Sequence, residues 1–279
     1  IGNSLILKGI ALDRDAVHPG EVVAASLYWQ VVDPIPEGQE VMVSLQVTDP
    51  VGGFVGVEDA YLGSGIYPAS LWPVGQLFVG RQYLRVGEDV PAPLIGRLGI
   101  AVYTVDAQQE LVQPKDRLPT VARLKVIPRQ WPRVRQRDPV AWFDLNAGSG
   151  GQEPDLKLVR AEYSDEAVVG HSLPVLLTWF VAAPLSHDYV VFIHLEDDAG
   201  QVYGYGDGPP RGGLYPTWIW EEGEVVIDEH ALLVEPTAPP GVYKLVVGLY
   251  NKGGRLPAYT QDGKRWQHDA VNLGVVEVR

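Results

Sequence analysis

The stretch GLYPTWIWEEGEVVIDEHALLV, residues 213–234, aligns without a gap with GIYPASLWPVGQLFVGRQYLRV, residues 65–86. Each copy has Tyr-Pro, two variable residues, an aliphatic residue and Trp, then a Gly turn and an alternating run. An internal repeat decides the fold, because two similar segments of sequence are expected to form two similar domains.

Further pairs of segments extend the repeat in the same order along the chain. They are SLYWQVV (26–32) with LLTWFVA (176–182), VSLQVTDPVGG (43–53) with VFIHLEDDAG (191–200), and PAPLIGRLGIAVY (91–103) with APPGVYKLVVGLY (238–250). A period of about half the chain indicates a duplicated domain, since the repeats of solenoids run about 20 to 50 residues.

Each copy is typical of β-structure. In DYVVFIHLED, Val191 and Ile193 share one face of a strand, and Phe192 and His194 share the other. Short strands separated by Gly, Pro and Asp turns predict an all-β fold of two tandem antiparallel β-sandwiches, immunoglobulin-like or carbohydrate-binding-module-like, that arose by internal duplication. We predict sandwich domains at 1–127 and 140–279, joined by a Pro/Arg-rich linker at 128–139.

Composition excludes several classes of function. The chain of 279 residues has no Cys, which excludes disulfides, thiolate metal sites and cysteine nucleophiles. Its net charge of −13 argues against nucleic acid as a partner, because phosphate binding needs a basic surface. No cofactor is expected.

Location is predicted from what the sequence contains and lacks. No apolar run is long enough to cross a bilayer, and the chain opens at Ile1 without a leader, which predicts a mature or excised segment that meets a membrane only through a segment outside it. The lack of Cys agrees with an extracellular or cell-surface bacterial protein. The 23 prolines fit a thermophile.

The second copy resembles a known module. FIHLEDDAGQ (192–201), DGPPRGGLYPTWIWEEGEVVID (207–228), APPGVYKLVVGLY (238–250) and RLPAY (255–259) are similar to a β-sandwich module of Chloroflexi-type bacteria. That module follows membrane glycosyltransferase-like proteins of the dolichyl-phosphate-mannose mannosyltransferase type and other surface proteins. The resemblance covers nearly all of 140–279 and implies an extracytoplasmic accessory domain. It does not imply glycosyl transfer within this chain.

Aromatic residues form the sharpest candidate site. Sugar-binding sandwiches stack pyranose rings on Trp or Tyr. Residues that recur in both copies are better explained by the shared fold, and these are Tyr67, Trp72, Trp220, Trp29 and Trp179. Trp218 has Ser70 as its counterpart, and the predicted ligand-binding residues are therefore Trp218, Tyr215, Tyr205, Tyr203 and Asp207. Contact of Trp218 with a neighbouring domain or subunit stays open as an alternative.

The acidic residues do not predict an enzyme. Asp228 and Glu229 are adjacent, so on a strand they point to opposite faces and cannot flank one glycosidic bond. Asp197 and Asp198 precede Ala-Gly and predict a hairpin turn. Nucleophile and phosphate-loop motifs are absent, and the glycines of 148–151 are typical of a loop.

Metal sites are weaker candidates. His194 and His230 lie on strand faces that we predict to be polar, and with Asp228 they contain ligands that Zn²⁺ accepts, although hydrogen-bonded histidines explain them better. Asp-rich sandwich loops can hold a structural Ca²⁺, and Asp207 and Asp262 are the candidate ligands.

Three functions follow from these patterns. The first is a non-catalytic extracytoplasmic module that binds or presents glycan or cell-envelope material through loops at one end of the sandwich. The second is a structural subunit that self-assembles into a surface filament or layer through sandwich edges. The third is an accessory domain of a membrane glycosyltransferase. A fluorescent response to sugars, a concentration-dependent mass, or neither would separate them.

Overall fold

The computed structural model describes residues 4–105, 119–135, 139–144 and 155–279. The chain divides into two compact units, residues 1–129 and residues 130–279. Residues 136–138 of the predicted linker and the predicted glycine loop at 148–151 lie outside the described residues. In the described part of the chain, no helix is both long enough and apolar enough to span a membrane.

Unit 1 is a sandwich of two sheets. Its described strands are β1 (Leu5–Leu12), β2 (Ala16–Val17), β3 (Val22–Val31), β4 (Glu40–Thr48), β5 (Phe54–Tyr61), β6 (Leu77–Arg85), β7 (Leu94–Val105) and β8 (Thr120–Val126). One sheet has the order β1-β3-β6 and the other has the order β2-β8-β7-β4-β5. Two 3₁₀ helices, η1 (Leu62–Gly65) and η2 (Ala69–Leu71), connect β5 to β6.

Alternation along the strands builds the core of unit 1. In β3, every second residue from Val23 to Val31 is buried, and the residues between them are partly exposed. In β4, Val41, Val43 and Val47 are buried in the same way. Each sheet thus turns one apolar face toward the other, as a two-layer sandwich requires.

Unit 2 has the same kind of architecture. Its strands are β9 (Ala141–Phe143), β10 (Leu156–Tyr163), β11 (Glu166–Ala167), β12 (Ser172–Val181), β13 (Val190–Glu196), β14 (Val202–Tyr205), β15 (Val225–Val234), β16 (Gly241–Asn251), β17 (Gly254–Arg255), β18 (Ala258–Tyr259) and β19 (Val271–Val278). Its 3₁₀ helices are η3 (Pro210–Gly213), η4 (Thr217–Ile219) and η5 (Gln267–Asp269).

Hydrogen bonds join the strands of unit 2 into one curled sheet. The order is β18-β9-β10-β12-β15-β14-β13-β16-β19-β11, and β17 pairs with β16. Strand β14 pairs with both β13 and β15, and it therefore closes one side of the sandwich with backbone hydrogen bonds. The largest fully buried side chains of this unit include Trp179, Trp220, Tyr215 and Phe143.

The two units share several details of register. A bulge interrupts β1 between Leu7 and Gly9, and another interrupts β10 between Leu158 and Arg160. The Tyr-Pro segments form η1–η2 and η3–η4, which occupy the same place before β6 and β15. The prediction of an all-β sandwich-type fold is confirmed. Descent of the two units from one duplicated domain stays a prediction.

Candidate functional site

Tyr215, one of the predicted ligand-binding residues, is fully buried in unit 2. Its hydroxyl donates to Glu224, with oxygen–oxygen distances of 2.9 and 2.7 Å, and its backbone carbonyl accepts the indole N–H of Trp220 at 3.0 Å. Burial and the neighbouring carboxylate of Glu224 raise the pKa of the Tyr215 phenol. A ring enclosed in this way cannot stack on a sugar, so the prediction for Tyr215 is corrected.

The other predicted aromatic residues do not form one platform. Tyr203 turns toward the core, where its ring lies 5.5 Å from that of Tyr243 in an edge-on contact. Trp218 is 44% exposed, while Trp220 is 1% exposed, although residues two positions apart on a strand would share one face. The reason is that residues 217–219 form the 3₁₀ helix η4, in which strand alternation does not apply.

Tyr205 and Asp207 come together around His194 on the outer face of β13. His194 Nε2 lies 2.9 Å from Asp207 Oδ1, and the ring of Tyr205 meets the imidazole edge-on at 5.4 Å. Tyr205 is the cross-strand partner of His194, which puts both side chains on the same face of the sheet. A carboxylate only accepts hydrogen bonds, so the contact with Asp207 places a ring proton on Nε2 of His194.

Phe192 extends this surface toward β16. It pairs across the strands with Gly248, where a Cβ would come within 2.4 Å of the Phe192 ring. The glycine therefore lets the ring lie flat on the sheet. The guanidinium of Arg255 covers the ring at 4.2 Å from its centroid, a cation–π contact, and the imidazole of His194 lies 5.2 Å away.

The strands and the segment after β17 enclose a groove on this face. We call it the outer-face groove; its main part, lined by His194, Lys244, Arg255, Trp266 and His268, has a volume of about 760 Å³. A smaller depression of about 250 Å³ adjoins it and shares His194 and Arg255 with it. The volume of the main part falls in the range of small-ligand sites in proteins.

Two buried nitrogens on the lining residues have no hydrogen-bond partner among the described residues. They are Nδ1 of His194 and Nε1 of Trp266. With the proton of His194 on Nε2, its Nδ1 is an acceptor, whereas the indole N–H of Trp266 is a donor. A buried polar atom without a partner costs about 1–3 kcal/mol. Both atoms are buried, so a ligand in the outer-face groove reaches them only after the lining side chains move.

Two neighbouring acids at the rim, Asp197 and Asp198, have local partners. Lys244 Nζ lies 2.9 Å from Asp198 Oδ1. Asp197 accepts hydrogen bonds from the backbone N–H groups of Ala199 and Gln201, which makes the predicted hairpin turn. Asp197 is therefore held within its turn, whereas the side chain of Asp198 is 97% exposed and pairs with Lys244 at the surface.

The wall of the groove contains backbone in the left-handed region. His268 has φ 55° and Asp269 has φ 54°, which non-glycine residues rarely adopt. Two bonds from Arg265, at 2.7 and 2.8 Å, hold the carboxylate of Asp269, and Arg255 Nη1 donates to the carbonyl of His268 at 2.9 Å. The hydrogen bond from Arg265 leads the effects that lower the pKa of Asp269.

The two histidines that were weighed as zinc ligands, and that are better explained by hydrogen bonding, occupy different surroundings. His230 is buried, contrary to the predicted polar face, and its Nε2 lies 2.8 Å from Asp228 Oδ2 while its Nδ1 lies 3.1 Å from the carbonyl of Gly206. Both partners accept, so the imidazolium satisfies both contacts. Burial opposes that charge, but the hydrogen bond and the charge of Asp228 raise the pKa of His230 above its ordinary value.

Asp228 is the centre of a buried polar network. Besides His230, it accepts the indole N–H of Trp179 at 3.2 Å and the backbone N–H of Arg211 at 2.7 Å. Arg211 has φ 53°, and its Nη1 donates to the carbonyl of Ile227 at 3.2 Å. The network fastens η3 to β15 through both the backbone and the side chain of Arg211.

The calcium candidates have local partners. Asp207 is held by His194 and by a hydrogen bond with Tyr250, and Asp262 is bonded to Thr260 within a turn. That bond leads the effects that lower the pKa of Asp262. Within the described ranges, no group of three or more His, Cys, Asp or Glu side chains is arranged to hold a metal ion.

The predicted structural aromatics are buried with one exception. Trp29, Trp72, Trp179 and Trp220 all lie in the cores of their units, whereas Tyr67 is 43% exposed. Trp72 donates to the carbonyl of Tyr67 at 2.9 Å, the same bond that Trp220 makes to Tyr215. The Tyr67 hydroxyl donates to the carbonyl of Leu71 instead of to a carboxylate.

Sequence reasoning did not find Phe192, Arg255 or Trp266. The repeat alignment contains a signal for the first, because Phe192 and His194 stand where the first copy has Ser44 and Gln46. The cross-strand pairs agree, since Ser44 faces Ala101 where Phe192 faces Gly248. Trp218 was selected because it differs from its counterpart in the first copy. The same criterion would have selected Phe192 and His194.

No family model and no curated protein matches the chain. Among solved structures, it is similar to a glycosyl hydrolase family 2 (GH2) member from Bacteroides cellulosilyticus DSM 14838, with 9% identity and a TM-score of 0.26. The match covers 91% of this chain and 28% of that protein, so the chain spans less than a third of its length. A likeness of this degree says nothing about activity or substrate.

Proposed function

We propose that the chain is a non-catalytic, extracytoplasmic binding module, and that the outer-face groove of unit 2 takes a glycan or other polyhydroxylated cell-envelope material. The observation that carries the proposal is the pair of unpartnered nitrogens, the acceptor Nδ1 of His194 and the donor Nε1 of Trp266. A sugar hydroxyl both donates and accepts, so it can bond to either nitrogen once the lining side chains move apart to admit the ligand.

The surroundings of these nitrogens support the same ligand class. Rings of Tyr205 and Trp266 offer apolar faces, and the planar groups of His194 and Arg255 stand beside them, with Arg255 covering the buried ring of Phe192. Sugars are bound by this combination, in which aromatic surface contacts the C–H groups and planar polar groups orient the hydroxyls.

A binding role is favoured over catalysis by the state of the rim acids. Asp197 caps its own turn and Asp198 pairs with Lys244. A glycosidase needs two carboxyl groups that flank one bond, with one of them available as a proton donor. Location outside the cytoplasm belongs to this proposal and rests on the sequence resemblance and the lack of Cys.

The test is titration of the full chain with a panel of neutral and acidic soluble polysaccharides, by calorimetry and by tryptophan emission. Trp266→Phe keeps an aromatic ring and removes the donor, so we expect affinity to fall about 3- to 10-fold for one lost hydrogen bond. His194→Gln installs the residue of unit 1 and is expected to weaken binding at least as much.

Trp218→Ser is the matched control, because it removes an exposed Trp outside the groove and installs the residue of the first copy. We expect binding to be unchanged in this variant. Loss of binding in Trp218→Ser, with Trp266→Phe and His194→Gln unaffected, would place the ligand at the η4 loop and refute the groove. No response to any polysaccharide would refute the glycan proposal itself.

A further inference from the structure

Unit 1 leaves open the side of the sandwich that unit 2 closes. In unit 2, β14 and β15 pair through Gly204 with Val234 and Tyr205 with Leu233. In unit 1, the strands in the same places are β5 and β6, and each is the last strand of its own sheet. They approach at one end only, where the N–H of Gly87 donates to the carbonyl of Val55 at 2.9 Å.

The hydrogen bond that holds η3 against β15 in unit 2 is also missing from unit 1. Arg211, the second residue of η3, donates to the carbonyl of Ile227 and fastens that helix to the strand. The second residue of η1 is Gly63, which adopts the same left-handed backbone with φ 77° and has no side chain to donate. Gly80 takes the place of Asp228, and a Cβ there would meet nothing within 4 Å.

The open edges are apolar. On β6, the outward-facing Leu77, Val79 and Tyr83 are each more than half exposed. On β5, Phe54 is 69% exposed, and Val57 and Tyr61 are also exposed. Monomeric proteins commonly protect an edge strand with charged residues, Pro or a covering loop, so a strand that exposes apolar residues beside an unpaired edge is a pairing site.

The two edges carry opposite charge. Strand β6 contains Arg81 and Arg85 and no acid, whereas β5 contains Glu58 and Asp59 and no base. The segment 62–80, which leads into and forms the start of β6, has no charged residue at all, although 20% of the chain is charged. The chain has a net charge of −13, so two copies repel each other over most of their surface. At β6 this repulsion is reduced, because the surface there is apolar and basic.

The exposed area is also sufficient. Large apolar side chains continue from β6 onto the preceding loops as Ile66, Tyr67, Leu71 and Val74, all of them exposed. Together with the β6 residues they offer on the order of 700 Å², at about 100 Å² a side chain, against the roughly 800 Å² that each partner buries in a standard interface.

We propose that unit 1 is a self-association site, at which β6 of one copy pairs with β5 of a second copy. The two surfaces differ, so the interface is heterologous and each dimer retains one free β5 and one free β6. Further copies add head to tail. The inference is independent of the glycan proposal, because it concerns the other unit.

The first measurement is the mass of the full chain by light scattering and sedimentation over a wide concentration range. We expect the mass to rise with concentration beyond that of a dimer. A chain that stays monomeric at the highest concentration would overturn the proposal.

Two substitutions each block one edge without touching the core. Val79→Lys places a charge on exposed β6, and Val57→Lys places one on exposed β5, and a lysine on an edge strand opposes pairing. Each variant alone is expected to be monomeric. An equimolar mixture is expected to form dimers and nothing larger, since one variant supplies a free β5 and the other a free β6.

Ile227→Lys is the matched control, because Ile227 stands in unit 2 where Val79 stands in unit 1. We expect it to associate like the unsubstituted chain. Failure of the mixture to dimerise, or equal weakening by Ile227→Lys, would refute the β5–β6 interface. Flotation of the monomeric chain with vesicles of neutral lipid, lost in Val79→Lys, would assign the apolar surface to a membrane and refute self-association.

Discussion

Trp29 and Trp179 occupy the same place in the two units and differ in one hydrogen bond. Both indoles are buried, but the N–H of Trp179 donates to Asp228, while the N–H of Trp29 has no partner among the described residues. The cause lies on the neighbouring strand, where Gly80 replaces Asp228. Tryptophan fills the core in both units, whereas the polar network of Asp228 is found around Trp179 and not around Trp29.

The exchange of Asp228 for Gly80 is accompanied by two others on the same side of the sandwich. His230 becomes Gln82, whose Oε1 is buried without a partner, and Arg211 becomes Gly63. A buried charge is tolerated only with its partners, so Asp228, His230 and Arg211 are gained or lost together. The comparison shows that the same strand arrangement can be closed and lined by charged residues, as between β14 and β15, or left open and apolar, as between β5 and β6.

Removal of Asp228 is the severest test of the comparison. Asp228→Gly reproduces the residue of unit 1 but leaves the His230 imidazolium and two N–H groups buried without an acceptor, and we expect a loss of about 3–5 kcal/mol in the stability of unit 2. Hydrogen exchange on peptides of each unit measures this separately. Gly80→Ala is the control, with open space around the new Cβ. A change within about 1 kcal/mol for Asp228→Gly would show that the network contributes little.

Gly248 tests the difference between the outer faces. A Cβ there would lie 2.4 Å from the Phe192 ring and 2.8 Å from the carbonyl oxygen of Asp269. We expect Gly248→Ala to cost about 1–3 kcal/mol and to displace the ring. Ala101→Gly, the reverse change at the matching place in unit 1, is expected to cost about 1 kcal/mol or less. Equal effects, measured by the same exchange method, would mean that Phe192 moves freely.

His230 predicts a pH dependence that is confined to unit 2. Its pKa is raised in the folded state, so the folded unit binds more protons than the unfolded chain. The stabilisation is full below the ordinary histidine pKa of about 6.5 and is lost as pH rises through the higher folded value. Denaturation of unit 2 between those limits should become easier with pH. His230→Gln, which installs the residue of unit 1, should flatten the profile, and an unchanged slope would assign it to another group.

The smallest effect is expected from the indoles themselves. Trp179→Phe and Trp29→Phe lose similar volume, but only the first removes a hydrogen bond to a carboxylate. We expect Trp179→Phe to be more destabilising by about 1–2 kcal/mol. Trp29→Phe also removes a buried unpartnered N–H, which enlarges the contrast. If the two substitutions cost the same, the bond from Trp179 to Asp228 contributes nothing measurable.

Strand alternation and the repeat predicted the β-sandwich fold because both can be read from the sequence without knowing which distant residues are in contact. Val191, Ile193 and Leu195 are buried together, as their spacing indicates. Strand alternation does not extend to Trp218, since the Tyr-Pro segment forms a 3₁₀ helix whose geometry depends on Pro216 and on Asp188, which accepts the backbone N–H of Thr217 at 3.0 Å. Contacts between residues so far apart in sequence leave no periodic signal.

The candidate groove was predictable only in part for a related reason. Tyr205 and Asp207 were singled out, but their partner His194 lies on another strand, and Arg255 and Trp266 come from the segment that follows β16. Asp228 and His230 alternate correctly yet face inward, because charged residues are buried where they can pair with each other. Sequence alone reports that a residue is polar, and not whether its partner is a neighbour or the solvent.

The polar seam around Asp228 also bears on how such a chain avoids misfolding. Two units with matching bulges and registers offer strands that can be exchanged during folding, as in misassembled tandem repeats. A hybrid in which β15 replaced β6 would bury Asp228 and His230 beside Gly63 in place of Arg211, without the side chain that fastens the loop. Asp228, His230 and Arg211 therefore favour the native pairing of strands within unit 2 over pairing with strands of unit 1.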